Sequence, residues 1–270
     1  MEKKRLDVLL HEKNLVPSRE KAKAYIMAGK VRVAGRMADK AGMLVDVTAD
    51  IQVLRDEINY VSRGGLKLEK ALDAFSLDLT DIVMFDVGAS TGGFTDCALQ
   101  HNAKRVYAID VGYGQLAWSL RTDPRVVCME RTNIRHVQPE EMPELADFIS
   151  IDVAFISLNI VMPAVFRLMK PSAGLVALIK PQFEAGREKV GKKGVVRDPA
   201  VHIEVISNVL ANAKLLGLQL MGISYSPIKG PEGNIEYLAY WKKETSDQDI
   251  LLEGSEQEIK AVVNAAHGTL

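Results

Sequence analysis

Residues 85–96 of this 270-residue chain read FDVGASTGGFTD, and no other stretch limits the fold so tightly. The apolar run from Ile82 to Phe85 predicts a buried strand that breaks at Asp86 into a glycine-rich turn opening a helix. Gly88, Gly92 and Gly93 lack a Cβ, so backbone N–H groups there can approach a ligand closely. Asp110 then closes the next apolar run, RVYAID, where a carboxylate can accept hydrogen bonds from a ribose diol. The spacing from Asp86 to Asp110 fits one strand, one helix and one strand. The pattern suits a turn that holds a nucleoside-bearing cofactor. Nicotinamide enzymes use a similar layout, but their fingerprint is GxGxxG and this turn reads GxSxGG.

With 47% apolar residues the chain can bury a full α/β core beside a second, small domain. Two cysteines, Cys97 and Cys128, make neither a disulfide framework nor a zinc cluster. The start, MEKKRLDVLL, lacks the apolar stretch of a signal peptide, and no run of eighteen apolar residues exists. A cytoplasmic protein that does not span a membrane is the expectation. The net charge of −1 is unevenly spread. Residues 1–36 carry ten Lys/Arg against four acids, whereas residues 243–270 carry two lysines against six acids. A basic head and an acidic tail therefore cancel, and the head can attract a polyanion.

The head, residues 1–58, reads as a small α+β unit. Ser18 caps the helix REKAKAYIMAG, Gly29 ends it, and short strands follow in VRVAG, LVDV and IQVL, with a turn at Gly35. Arg19, Lys21, Lys23, Lys30 and Arg32 crowd the second helix and the next strand, as either a solvated surface or a phosphate-binding face. LDVLL and SREKAKAYIMAGKVRVAGR resemble the S4 RNA-binding domain, and that resemblance favours RNA contacts at Arg5, Arg19, Lys21, Lys23, Lys30, Arg32 and Arg36.

Residues 59–62 read as a linker to a larger domain at 63–243. There, strands at residues 82–85, 106–109, 126–129, 148–151, 175–179, 220–225 and 235–241 alternate with helices at 93–100, 159–169 and 200–216. This predicts a mostly parallel seven-stranded sheet covered on both faces. The last two strands have no helix between them, so an antiparallel hairpin is expected at the sheet edge. That is the layout of class I, Rossmann-like methyltransferases. The acidic tail, 244–270, is expected to be mobile, with one amphipathic turn over Ile259 to Val263.

Lys67 in SRGGLKLEKAL, Asp152 ending ISID, Lys180 ending LVALIK and Glu236 in GPEGNIEYLAY stand out as ionisable groups beside apolar runs. The carboxyl ends of parallel strands line a ligand crevice, so Asp152 and Lys180 should face the same cleft as Asp86 and Gly88. In order, these four resemble the K-D-K-E tetrad of FtsJ-like ribose 2′-O-methyltransferases. The whole chain resembles the TlyA/hemolysin A family, in which an S4 domain precedes that fold. SRGGLKL, DVGASTGGFTD, SIDVAFISL, IKPQFEAGR, GVVRDP and SPIKGPEGNIEYL carry the resemblance in order.

The resemblance implies S-adenosylmethionine as cofactor and ribosomal RNA, methylated at cytidine ribose, as substrate. It implies Lys67, Asp152, Lys180 and Glu236 as catalytic. Asp86, Gly88, Ser90, Gly92, Gly93 and Phe94 would border the cofactor's methionine end, with Asp152 beside them. Asp110 would meet its ribose, and Asn133 with Ile134 its adenine. No metal is required, since the five histidines show no ligand spacing. The loop REKVGKKGVVR, with Lys189, Lys192 and Lys193, could sit over an RNA backbone, and Phe183 could stack on a base. Two other readings share these features: an RNA-binding or assembly factor without turnover, and a hemolysin-like protein acting indirectly on membranes.

Overall fold

The structure is a computed structural model and describes residues 2–27, 29–53, 59–244 and 256–270. It divides into two units, Met1–Ile58 and Asn59–Leu270.

In the first unit β1 (Lys3–Arg5) leads into α1 (Leu6–Glu12), and α2 (Arg19–Met27) follows. β2 (Val31–Val33), β3 (Arg36–Met37), β4 (Leu44–Asp46) and β5 (Ile51–Val53) complete it. Ser18 Oγ accepts from Lys21 N at 3.2 Å, the bond an N-cap supplies to α2. Ala34 and Gly35 both have positive φ, +49° and +75°, as a two-residue hairpin turn between β2 and β3 requires. Period-two alternation buries Val31 and Val33 of β2 and turns Arg32 outward. Leu6, Leu10, Ile26 and Val31 pack into the core of this unit.

The second unit opens with α3 (Gly64–Phe75), β6 (Val83–Val87), α4 (Gly93–Gln100), β7 (Arg105–Ile109), α5 (Trp118–Arg121) and β8 (Val126–Met129). It continues through β9 (Ala146–Ile151), α6 (Leu158–Arg167), β10 (Met169–Ile179), α7 (Pro181–Glu184) and α8 (Pro199–Leu215). β11 (Leu218–Tyr225), β12 (Tyr237–Lys243) and α9 (Glu256–Thr269) complete it. Seven strands form one sheet in the order β11-β12-β10-β9-β6-β7-β8. The four pairings that join β10, β9, β6, β7 and β8 are parallel, and β12 runs antiparallel between β10 and β11. The expected hairpin is therefore present, but its second strand is inserted inside the first. All five residues of β6 are buried, as a central parallel strand covered on both faces demands.

Neighbours on a strand point to opposite faces. Trp241 joins the core built by α6, α8 and α9, while Tyr240 stacks on Phe75 of α3 with ring centroids 5.7 Å apart. α3 therefore covers the other face. Among the described residues no helix is long and apolar enough to cross a membrane.

Two sequence expectations change here. Residues 59–62 do not hang free: Tyr60 is buried and its hydroxyl donates to Glu69 at 2.8 Å, and Val61 N donates to Asp96 at 2.7 Å. The tail is no single mobile turn either. Its last part forms the fourteen-residue α9, which buries Ile259, Val263 and Ala266 in the main core. Residues 245–255, the rest of that expectation, lie outside the described residues.

Candidate active site

The ends of β6, β7 and β9 are tied together: Gly88 N donates to Ile109 O, and Asp152 N to Val87 O, both at 2.9 Å. The turn after β6 leaves this edge with φ +87° at Gly88 and +99° at Gly92, values that favour glycine. A Cβ on Gly88 would stand 2.5 Å from the Asp152 carbonyl oxygen, so the bare backbone is what lets the two strand ends meet. Asp86 beneath the turn is fully buried. Its carboxylate accepts from Thr95 N at 3.0 Å, Thr95 Oγ1 at 2.7 Å and Ser150 Oγ at 3.1 Å. Burial still wins, and its pKa is pushed up to about 6. Asp110 accepts from Ser90 N at 2.8 Å and Gly112 N at 2.7 Å, so it braces the turn from β7.

Four charges alternate along the same cleft. Lys180, one residue past β10, pairs with Asp152, one residue past β9, at 2.5 Å. Asp152 reaches Lys67 of α3 at 3.5 Å, and Lys67 reaches Glu236 at 2.7 Å. Lys67, Lys180 and Glu236 are 8%, 8% and 2% exposed. The sheet explains the meeting. Ile179 is paired with Tyr237, so in antiparallel register the next residue along β10 faces the one before β12, which sets Lys180 beside Glu236. Burial would lower the pKa of Lys67, but the Asp152 and Glu236 charges overcome it and raise the pKa. Burial would raise Asp152, and its two lysine neighbours pull it below the ordinary carboxylate range.

A cleft of about 740 Å³ joins turn and tetrad. Asp86, Gly88, Ser90, Gly93, Phe94 and all four tetrad residues line it. Gly92, Asp110, Asn133 and Ile134 do not. Gly92 lies under Leu120, Asn133 accepts from Arg135 N at 3.2 Å, and Ile134 is packed in the core. Cleft residues that sequence reasoning passed over are Arg63, Phe155, Gln182 and Asn234. Phe155 is 90% exposed at φ +63° and packs on Phe183 with centroids 5.1 Å apart. Its only sequence signal was an aromatic in the strand-end loop after Asp152. Asn234 is buried and grips the basic loop, accepting from Val196 N at 3.0 Å and donating to Gly194 O at 2.8 Å.

The cations divide. Lys192 and Lys193 are exposed, but Lys189 is paired with Glu204 of α8 at 2.5 Å. In the first unit Lys21, Lys23, Arg32 and Arg36 are exposed and Lys30 is partly buried. Arg5 and Arg19 both clasp the buried Asp7, at 3.0 Å and 3.2 Å.

A mostly parallel sheet with a glycine turn at one strand end, an acid just past the next strand bracing that turn and a Cβ-free approach to the cleft fits S-adenosylmethionine. The fold and site define a class I methyltransferase dependent on that cofactor. Residues 60–243 match the FtsJ-like methyltransferase family and residues 4–51 the S4 domain. The chain belongs to the TlyA/hemolysin A family of FtsJ-like methyltransferases with an S4 domain. It is 50% identical to YqxC of Bacillus subtilis, provisionally named an rRNA methyltransferase, over 99% of this chain and 95% of that one. It is 42% identical to the 16S/23S rRNA (cytidine-2'-O)-methyltransferase TlyA of Mycobacterium tuberculosis, over 96% of this chain and 97% of that one. The solved structure of a provisionally named hemolysin from Streptococcus thermophilus superposes with a TM-score of 0.79 at 46% identity, covering 100% and 97% of the two chains.

Proposed function

We propose that this chain methylates the 2′-hydroxyl of a cytidine ribose in ribosomal RNA, working in the cytoplasm where ribosomal subunits are met. The observation that carries the reading is the row Lys180, Asp152, Lys67, Glu236, alternating in charge along a cleft that the glycine turn also lines.

S-adenosylmethionine, when bound, supplies an electrophilic methyl group. Gly88, Ser90, Gly93 and Phe94 would hold its methionine end, and Asp86 and Asp110 would brace that turn from below and beside it. Asp110, Asn133 and Ile134 would serve the nucleoside end from outside the main cleft. A ribose hydroxyl is a weak acid, so its proton must leave as the new oxygen–carbon bond forms. Lys180 is the group proposed to take that proton, and to accept it must first release one of its own to solvent. Lys67 stays charged between two carboxylates and steadies the negative charge growing on the oxygen. Asp152 and Glu236 hold the two lysines in place.

A base stacked in RNA keeps its ribose out of such a pocket, so the target nucleotide is turned out of its helix. Phe155, exposed at the mouth and backed by Phe183, offers the face on which the extruded base stacks. Lys192 and Lys193 on the neighbouring loop, and Lys21, Lys23, Arg32 and Arg36 of the S4 unit, would meet phosphates.

The test incubates full-length protein with unmodified ribosomal subunits and methyl-labelled S-adenosylmethionine, and then maps the label. Label at a cytidine 2′-oxygen, lost in Lys180→Ala while cofactor binding persists, is the expected result. Full turnover in Lys180→Ala would refute its role as proton acceptor. Cofactor binding with no label on either subunit would refute the substrate.

A further inference from the structure

The chemistry above leaves unused a half-buried carboxylate next in sequence to the cleft-lining Phe183. Glu184, at the end of α7, accepts from Ser157 Oγ at 2.6 Å and from Leu158 N at 2.8 Å. Both bonds cross from the segment after Lys180 to the first residues of α6. Leu158 N is one of the helix's otherwise unpaired N-terminal donors, where a carboxylate is favoured by charge as well as by hydrogen bonding. Ser157 is itself the N-cap of α6, accepting from Asn159 N at 3.2 Å. Glu184 therefore fixes the cap that starts the helix.

The loop between Asp152 and Ser157 is thereby held at both ends from one short stretch of chain. Lys180 donates to Val153 O at 2.8 Å at its beginning, and Glu184 binds Ser157 and Leu158 at its end. Between these anchors stands Phe155, at φ +63° with its side chain 90% in solvent. A left-handed phenylalanine facing water is unfavourable twice over, in backbone strain and in exposed apolar surface. Such a conformation persists where its flanks over-determine it. Lys180 and Glu184, at the two ends of α7, provide the flanks, and Phe183 between them the backing for the ring.

We propose that Glu184 is a positioning residue for substrate: it locks the loop after Asp152 so that Phe155 stands ready at the cleft mouth for an extruded base. This rests on the reading that Phe155 stacks on that base. It gives Glu184 no part in proton transfer or in cofactor binding.

A double-mutant cycle tests it on unmodified ribosomal subunits, with Glu184→Gln, Phe155→Ala and the pair, each with cofactor Kd and thermal melting measured alongside. Base–aromatic stacking is worth about 1–3 kcal/mol, so Phe155→Ala should lower kcat/KM by roughly 5- to 150-fold. Glu184→Gln keeps the shape but gives up charge-assisted bonds, and should cost about tenfold in kcat/KM with cofactor Kd unchanged. Because both act on one contact, the pair should be no worse than Phe155→Ala alone. Ser157→Ala, which removes the other end of the bond, should mimic Glu184→Gln. Losses that multiply in the pair, or full activity in Glu184→Gln, would overturn the positioning role and leave the stacking reading standing. Full activity in Phe155→Ala would overturn both.

Discussion

Asp86→Asn separates the folding role of the acid beneath the glycine turn from the rest of the site. Asp86 is 0% exposed, and its pKa rises from 3.8 to about 6 because burial penalises the charged form. The folded protein thus binds this proton more tightly than the unfolded chain does. The stability that the proton contributes is present at low pH, begins to fade above the unfolded value near 4, and is gone once the pH has passed through about 6. A shift of this size is worth about 3 kcal/mol in full, of which about 1 to 2 kcal/mol is lost between pH 5 and pH 8. Asparagine imitates the protonated acid. Its carbonyl can accept from Thr95 N, and Ser150 Oγ can turn from donor to acceptor for the amide. The assay is urea unfolding of the full chain at several pH values, read by tryptophan fluorescence. Trp118 and Trp241, the only two tryptophans, both lie in the larger unit, and Trp241 is wholly buried. Relative to the parent protein, the variant should gain about 1 to 2 kcal/mol on going from pH 5 to pH 8. Parallel stability curves for the two proteins would refute the argument.

Gly88→Ala places a Cβ 2.5 Å from the Asp152 carbonyl in a left-handed turn, and should cost about 1–2 kcal/mol in backbone strain alone while weakening cofactor binding; calorimetry reads the binding, and an unchanged Kd would remove the close approach from the account. Asp7→Asn takes a negative charge out of a basic unit, so simple electrostatics would strengthen RNA binding. Because Asp7 orients Arg5 and Arg19, affinity should instead fall in a filter-binding assay, and a rise would show that the clasp does not matter. Ile259→Ala in α9 should destabilise the larger unit by about 2–5 kcal/mol, measured by the same fluorescence assay, if the tail helix belongs to the main core. A mobile tail would show no loss.

The strand-turn-helix at 85–96 and the alternation that follows were readable because a buried parallel strand leaves a solid apolar run and its turn leaves glycines. Asp152 and Lys180 were placed correctly at the cleft by that logic, since each ends such a run. Lys67 and Glu236 follow from no strand-end rule. Lys67 rides on α3, a helix that begins with two glycines, and Glu236 precedes a strand of reversed direction. Only their likeness to a known tetrad brought them in. What stayed hidden depends on partners distant in sequence. The pairing of Lys189 with Glu204, the clasp of Arg5 and Arg19 on Asp7, and the docking of α9 all need surfaces that local pattern does not announce. Tyr60 was taken for part of a linker because its partner, Glu69, is presented only once α3 has formed.

The inserted strand β12 also decides where this protein can tolerate changes in length. Strand pairing has a period of two, so a one-residue slip of β12 along β10 would turn Glu236 away from Lys67 and leave a buried lysine short of a countercharge. Irregularity in the hairpin lies instead on β11, where the register shifts between Leu220 and Gly222 opposite Phe75 of α3. The bulge sits on the outer strand, one step removed from the charges. Insertions and deletions can therefore accumulate at that rim over evolutionary time, while the strand between it and the paired charges must keep its residue count.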